Sequence, residues 1–169
     1  MLVLETERLR LRRLSTDDAE FILRLLNEPS FIQYIGDKNV RTIEDARLYL
    51  LHGPIASYQK YGFGLYLIES KDSGAPIGMC GLLKREALEN VDLGYALIPE
   101  YWSQGYGFEA AAAVKSYAGQ VLGLERIVAI TNTENESSIR LLEKIGFRFE
   151  NMIKLADDQD EVMLFGSTV

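Results

Sequence analysis

One cysteine, one histidine, four prolines and no long apolar run mark this 169-residue chain. A lone Cys80 cannot form an internal disulfide framework. With His52 as the only histidine, a Cys/His metal cluster is excluded as well, so no metal is expected. No apolar stretch approaches the roughly 20 residues that a membrane span needs. The opening Met1 to Arg13 is charged throughout and lacks the apolar core of a secretion signal. Basic residues are in deficit, 18 Lys and Arg against 25 Asp and Glu, giving a net charge of −7. That argues against nucleic acid, whose phosphates need a basic surface, and suits a cationic amine partner. There is no repeat, low-complexity tract or linker. The length suits one domain spanning 1–169, with a cytoplasmic location expected.

What is present is a distinctive junction. The apolar run Leu93 to Ile98 reads as a strand, and Ala110 to Tyr117 as a helix. Between them stand Tyr101-Trp102-Ser103-Gln104-Gly105-Tyr106-Gly107-Phe108-Glu109. The first turn of a helix holds N–H groups without intrahelical partners, and the helix dipole favours an anion there. Glycine lets backbone approach a phosphate closely. A phosphorylated ligand is therefore expected at Gln104, Gly105, Tyr106, Gly107 and Phe108. The spacing is neither the dinucleotide G-x-G-x-x-G nor a P-loop. A second segment has strand character at Ile127 to Ile130, a polar turn, and a helix from Asn135 to Ile145. Gly146 closes that helix and Phe147 starts the next strand.

The rest of the chain alternates in period. Leu9 and Leu11 alternate with Arg8, Arg10 and Arg12, as in a strand. Ser15 or Thr16 can cap a helix stopped by Pro29. A short helix follows at Ser30 to Tyr34. Thr42 with Asp45 opens another helix, which Gly53-Pro54 should kink. Strands are expected at Gly62 to Glu69 and Ala75 to Leu83, joined by a hairpin turn at Lys71 to Gly74. Another strand runs from Val91 to Ile98, and Arg148 to Phe165 forms a hairpin turned at Ala156 to Gln159.

These segments together resemble the GCN5-related N-acetyltransferase superfamily, closest to the branch that acetylates N-termini of ribosomal proteins. The likeness rests on Trp102-Ser103-Gln104-Gly105-Tyr106-Gly107 against a Q/R-x-x-G-x-G/A loop. It rests also on Asn135, Ser138, Glu143, Lys144, Gly146 and Phe147 against N-x-x-S…E-K-x-G-F, and on the opening Leu4 to Arg12. Trp102 departs from the loop's first position. The resemblance implies an α/β (α+β) fold with a mixed, mostly antiparallel sheet of about seven strands and helices on both faces. It implies an acetyl-coenzyme A-dependent transfer to a primary amine, a protein N-terminus or a small molecule. The rival reading is a non-catalytic acyl-coenzyme A-binding sensor. A homodimer is common in the branch, although nothing in the sequence itself shows one.

The same resemblance assigns residues. The loop would hold the pyrophosphate. Ala96, Leu97 and Ile98 would offer backbone to pantetheine, an N–H near Leu97 would serve the oxyanion, and Asn135 would contact pantetheine. Ser138 would be the acid for the leaving thiolate, or only a helix cap beside Asn135. Tyr106 is the alternative acid, or a loop-packing residue. Asp92 would be the base, or a solvent-exposed strand carboxylate. Glu109 suits the helix dipole. Glu86 and Glu89 could recruit a cationic acceptor. Phe31, Tyr34, Tyr61, Phe63 and Tyr66 could wall an acceptor cleft with an acidic rim, or belong to the core, as aromatics at such spacing more often do. His52 reads as a surface residue, Cys80 as a buried inert thiol, and Trp102 as a packing anchor for the loop.

Overall fold

The N-terminal segment builds not one strand but two, and the alternating Leu and Arg belong to the second. The computed structural model, which describes residues 1–169, has β1 at Leu2–Glu5 and β2 at Leu9–Arg13. The break lies at 6–8, where Thr6 and Arg8 turn to bind a residue a hundred positions later, described below. This raises the expected strand number to eight.

Ser15, rather than Thr16, caps the next segment. Its side chain and that of Asp18 bond each other's backbone in a reciprocal box, which satisfies amides a helix start would otherwise leave unpaired. A 3₁₀ turn then runs into α1, Ala19–Leu26. Pro29 ends one helix and begins the next, α2 at Pro29–Tyr34, where its missing N–H is harmless. Thr42 and Asp45 form the same reciprocal box ahead of α3, Ile43–Leu50. The expected kink at Gly53-Pro54 takes a definite form: Leu51–Ile55 widens into π-helical turns before α4, Ala56–Tyr61. The wider register absorbs the donor that Pro54 lacks. Gly62, at φ 81°, then ends α4 in a left-handed conformation.

The remaining elements are β3 at Leu65–Ser70, β4 at Pro76–Leu83, β5 at Asp92–Leu97, α5 at Tyr106–Gln120, β6 at Arg126–Thr131, α6 at Glu136–Lys144, β7 at Arg148–Ile153 and β8 at Val162–Thr168. They form one sheet in the order β1-β2-β3-β4-β5-β6-β8-β7. Every neighbouring pair is antiparallel except β5 with β6. The expected mixed, mostly antiparallel sheet with helices on both faces is therefore present.

Strand alternation divides the core into two layers. Tyr66, Ile68, Cys80 and Leu93 pack toward α5 and α6 with Val114, Leu142 and Phe147. Leu65, Leu67, Met79, Ala96 and Ile98 pack toward α1 and α3 with Ile22, Leu25 and Leu50. Even-numbered residues of β5 thus face α1 to α3, and odd-numbered residues face α5 and α6. Of the aromatics expected to wall a cleft, Phe31, Phe63 and Tyr66 are buried in these layers instead. Tyr66 stacks on Tyr58 at 5.7 Å, and exposed Tyr61 stacks on Phe63. No helix is long and apolar enough to cross a membrane.

Candidate active site

The parallel pair β5 and β6 barely touches. Its register holds a single partnership, Asp92 with Val128, beside a bond from the Val128 N–H to the Val91 carbonyl at 3.0 Å. Past that point the strands diverge, and β5 carries unpaired backbone along one edge. Which groups face the gap follows from the ladder. Ile98 N–H donates to the Ile77 carbonyl of β4 at 3.0 Å, and the register pairs Ala96 with Met79. By alternation the backbones of Ala96 and Ile98 turn to β4, while those of Tyr95 and Leu97 turn to the gap. The Leu97 carbonyl there accepts from the Trp102 indole N–H at 2.9 Å. That leaves the Leu97 N–H and both backbone groups of Tyr95 open. Trp102 anchors the loop through this hydrogen bond, with its ring half exposed.

At the mouth of the gap, α5 begins. Gly105 is its N-cap at φ 84°, and no side chain caps it. The first α-helical bond joins the Glu109 N–H to the Gly105 carbonyl, so the amides of Tyr106, Gly107 and Phe108 have no intrahelical acceptor. Ser103 also takes a positive φ, 60°. The loop's own side chains hold it: the Gln104 amide donates to the Glu100 carbonyl at 3.0 Å, and Tyr101 meets Tyr106 edge to face.

Arg8, which motif reasoning left unassigned, ties this loop to the N-terminus. Its Nη1 donates to the Gln104 carbonyl at 3.0 Å and its Nε to Glu109 Oε1 at 2.8 Å. Its guanidinium lies over the Tyr106 ring at 4.2 Å. Glu109 also accepts from the Arg8 N–H and the Thr6 hydroxyl. Burial pushes the Glu109 carboxyl up, but these donors outweigh it and hold it below the usual range. Tyr106, sandwiched between Arg8 and Tyr101, is a packing element of the loop. The only sequence sign of the clamp is Thr6-x-Arg8 ahead of β2.

Gly105 is exposed, whereas Gly107 is buried. A Cβ there would stand 3.3 Å from Leu141 Cδ1 and 3.6 Å from both Leu97 Cδ1 and Tyr95 Cε2. Its missing side chain lets α5 settle against β5 and α6. The α6 start lies beside it. Asn135 caps α6 by accepting from the Ser138 N–H at 3.2 Å. The cap therefore belongs to Asn135, and the Ser138 hydroxyl is free for other work. It meets the Tyr95 phenol, which burial pushes up in pKa against the opposing effect of Ser138. Ser138 itself is buried. Leu97, Tyr95, Gly107 and Ser138 thus converge on the α5–α6 side of the gap. Tyr95 carried no sequence motif; only its odd-numbered place on β5 could have marked it.

Asp92 starts β5 where the two strands last touch, on the opposite, α1–α3 face. It is not the solvent-exposed carboxylate that strand alternation allowed, being 1% exposed. Arg85 reaches over from the β4–β5 connection, Nε to Asp92 Oδ2 at 3.2 Å. The other oxygen, Oδ1, is buried without a partner. Burial raises the Asp92 carboxyl, and Arg85 pulls it back only in part.

The expected acidic cleft takes another shape. A hollow of about 390 Å³ lies between α3, the π-helical turns and the loop at 38–40, lined by Lys38, Asn39, Tyr49, His52 and Gly53 among others. Its acid, Asp45, is spent on the Thr42 and Arg41 amides. Asp37, next in sequence to Lys38, is spent on Arg41. Glu89 lies within the field of Arg126 instead. His52 lines this hollow and is not near the α5 loop residues. Cys80 is fully buried, and burial pushes its thiol up. No group of three or more His, Cys, Asp or Glu side chains is placed to hold a metal.

Comparison with known proteins agrees with this geometry. The family model described as acetyltransferase (GNAT) domain matches residues 8–148. An uncharacterised N-acetyltransferase of Bacillus subtilis, YoaA, is 35% identical over 153 residues, covering 90% of this chain and 86% of that protein. The spermidine N(1)-acetyltransferase of Escherichia coli is 25% identical over 143 residues, covering 83% and 73%. Among solved structures, a ribosomal L7/L12 α-N-protein acetyltransferase in complex with coenzyme A superposes with a TM-score of 0.86 at 18% identity, covering 100% of this chain and 98% of that one.

Proposed function

This chain belongs to the acetyltransferase (GNAT) domain family, and we propose that it transfers an acetyl group from acetyl-coenzyme A directly to a primary amine. The observation that carries the reading is the divergence of β5 from β6 after one backbone pair, opening beside a helix start whose amides are unpaired. A diphosphate suits those amides. An extended amide-bearing arm suits the free backbone of Tyr95 and Leu97, in place of the Ala96 and Ile98 backbones that serve β4.

Acetyl-coenzyme A supplies an activated thioester. The chain must take one proton from the amine as the C–N bond forms, and give one to the sulfur as the C–S bond breaks. Asp92 takes the first. Its raised pKa makes it a stronger base than an ordinary carboxylate, and its Oδ1, which no donor occupies, is the oxygen left to accept the proton. Ser138 gives the second, with the Tyr95 phenol behind it on the same side of β5. The Leu97 N–H stands where an oxyanion needs a donor. Base and acid thus lie on opposite faces of one strand, so the amine enters from the α1–α3 side and the thiol leaves on the α5–α6 side. Asn135 holds Ser138 in place through the cap and keeps its side-chain N–H₂ for pantetheine.

The acceptor class is a primary amine, a small molecule or a protein N-terminus. The spermidine and ribosomal-protein enzymes among its likenesses span both. The test is mass spectrometry of the protein with acetyl-coenzyme A and an amine library. Acetylated product is expected. Tight binding of acetyl-coenzyme A with no turnover on any amine would make the chain an acyl-coenzyme A sensor.

A further inference from the structure

The hollow on the α1–α3 face is lined by one cation, Lys38, and one acid, Asp45. Lys38 on its wall makes no ion pair and no hydrogen bond to protein. The acids closest in sequence are committed, Asp37 to Arg41 and Asp45 to the α3 cap. A second cation lies nearby. Arg85 is close enough for its charge to act on both Lys38 and Tyr49, two of the residues that line the hollow. Its one partner, Asp92, lies buried behind it.

Lys38 also has the signature of a concave wall. Solvent reaches it, yet the protein around its ammonium lowers its pKa, with Arg85 adding to the effect. Burial raises the pKa of Tyr49, so its phenol stays protonated and able to donate. An exposed lysine with no acid bound to it and a guanidinium nearby offers an anion two positive charges.

We infer that the acceptor amine carries an anionic group, a carboxylate or a phosphate ester, which docks in the hollow on Lys38 and Tyr49 within the field of Arg85. The inference rests on the transferase reading and gives its acceptor a class. The hollow's volume suits a small molecule. Docking the anion there, on the Arg85 side of Asp92, turns the amine toward the base. A polycation such as spermidine would meet Lys38 and Arg85 as like charges.

The test compares kcat/KM for four kinds of primary amine: an ω-amino acid, an amino-alkyl phosphate, an uncharged amino alcohol, and spermidine. Wild-type protein is expected to prefer the two anionic amines by about tenfold or more, the size of one charge-assisted hydrogen bond. Which of the two is faster tells carboxylate from phosphate. Lys38→Gln should remove most of that preference, Lys38→Arg should restore it, and Lys38→Glu should shift it toward spermidine. A wild-type preference for spermidine, or one unmoved by Lys38→Gln, overturns the inference while leaving the transferase intact. Calorimetry of each amine with the coenzyme A-saturated protein reads the hollow without turnover. Binding of the anionic amines lost in Lys38→Gln supports the inference even where no product forms, and absence of any such binding overturns it.

Discussion

Replacing Gly107 separates two roles a glycine can play at a phosphate loop. On sequence grounds it spares room for the ligand. In the structure its Cβ position faces Leu141, Leu97 and Tyr95 instead, at 3.3, 3.6 and 3.6 Å. One methyl fits if Leu141 Cδ1, the free end of a flexible chain, yields by a few tenths of an ångström. Gly107→Ala should therefore change stability by less than about 1 kcal/mol, because the loss in packing is offset by the helix preference of Ala, itself about 0.5–1 kcal/mol over Gly. Coenzyme A affinity should stay within about twofold. Gly107→Val adds two methyls to a closed site. Overpacking of that kind costs roughly 1–3 kcal/mol, and in a chain of this size each kcal/mol lowers Tm by about 2–4 °C. A fall of about 2–12 °C follows, with a loss of turnover because Tyr95 is displaced. Thermal melts and calorimetry with coenzyme A measure both. If Gly107→Ala melts like wild type yet binds coenzyme A ten times more weakly, the Cβ site faces the ligand and the packing argument fails.

Ser138→Ala should lower kcat by about a hundredfold or more while coenzyme A affinity and stability hold, since Asn135 makes the cap; Asn135→Ala should instead cost about 1 kcal/mol. Wild-type turnover in Ser138→Ala together with a large loss in Tyr95→Phe would move the acid to Tyr95. Burial raises the folded pKa of Asp92, so its contribution to stability is full below the unfolded value near 4 and is lost as pH rises through the folded value. Asp92→Asn should thus melt no lower than wild type at pH 7 while losing most of its turnover; a clear drop in Tm would show that the Arg85 ion pair outweighs burial. Glu109 is depressed in the fold, so it stabilises above its unfolded value, about 4.3, and that support is lost as pH falls through the folded value. Glu109→Gln should melt lower than wild type at pH 7, with the gap narrowing as pH falls below about 4, and a gap unchanged at pH 3 would refute the clamp.

How much of this could be read beforehand differs by the range of the interaction. The caps at Ser15, Thr42 and Asn135, the Gly146 stop, and the strand–loop–helix order around Gly105 are local, and they were legible because each depends on residues within a turn; Gly62, expected to begin a strand, instead ends α4. The extra strand was not. Its cause is the grip of Thr6 and Arg8 on Glu109, and residues so far apart leave no local period. Asp92 was legible as acidic and as strand, but its burial depends on Arg85 arriving from a connection whose course the sequence does not set. The aromatic cleft failed for a related reason: Phe31, Phe63 and Tyr66 have a spacing that suits a cleft or a core equally, and packing against the sheet decides for the core.

The site's logic lies in the parity of one strand. Because β5 alternates, its even residues carry Asp92 toward the α1–α3 face, and its odd residues carry Tyr95 toward Ser138. The backbone parity is coupled to this: even residues spend their amides on β4, odd residues leave theirs to the gap. A one-residue slip of β5 would exchange all of these at once. What pins the register is therefore part of the active site. At one end the Asp92–Val128 pair and the Val91 carbonyl fix it, and at the other Trp102 holds the Leu97 carbonyl. Trp102→Phe keeps the ring and removes that donor. It should preserve the fold and weaken coenzyme A binding by roughly three- to tenfold, the worth of one hydrogen bond, because the freed Leu97 carbonyl lets the loop drift from the gap. Unchanged affinity by calorimetry would mean that Arg8 and Gln104 alone suffice to place it.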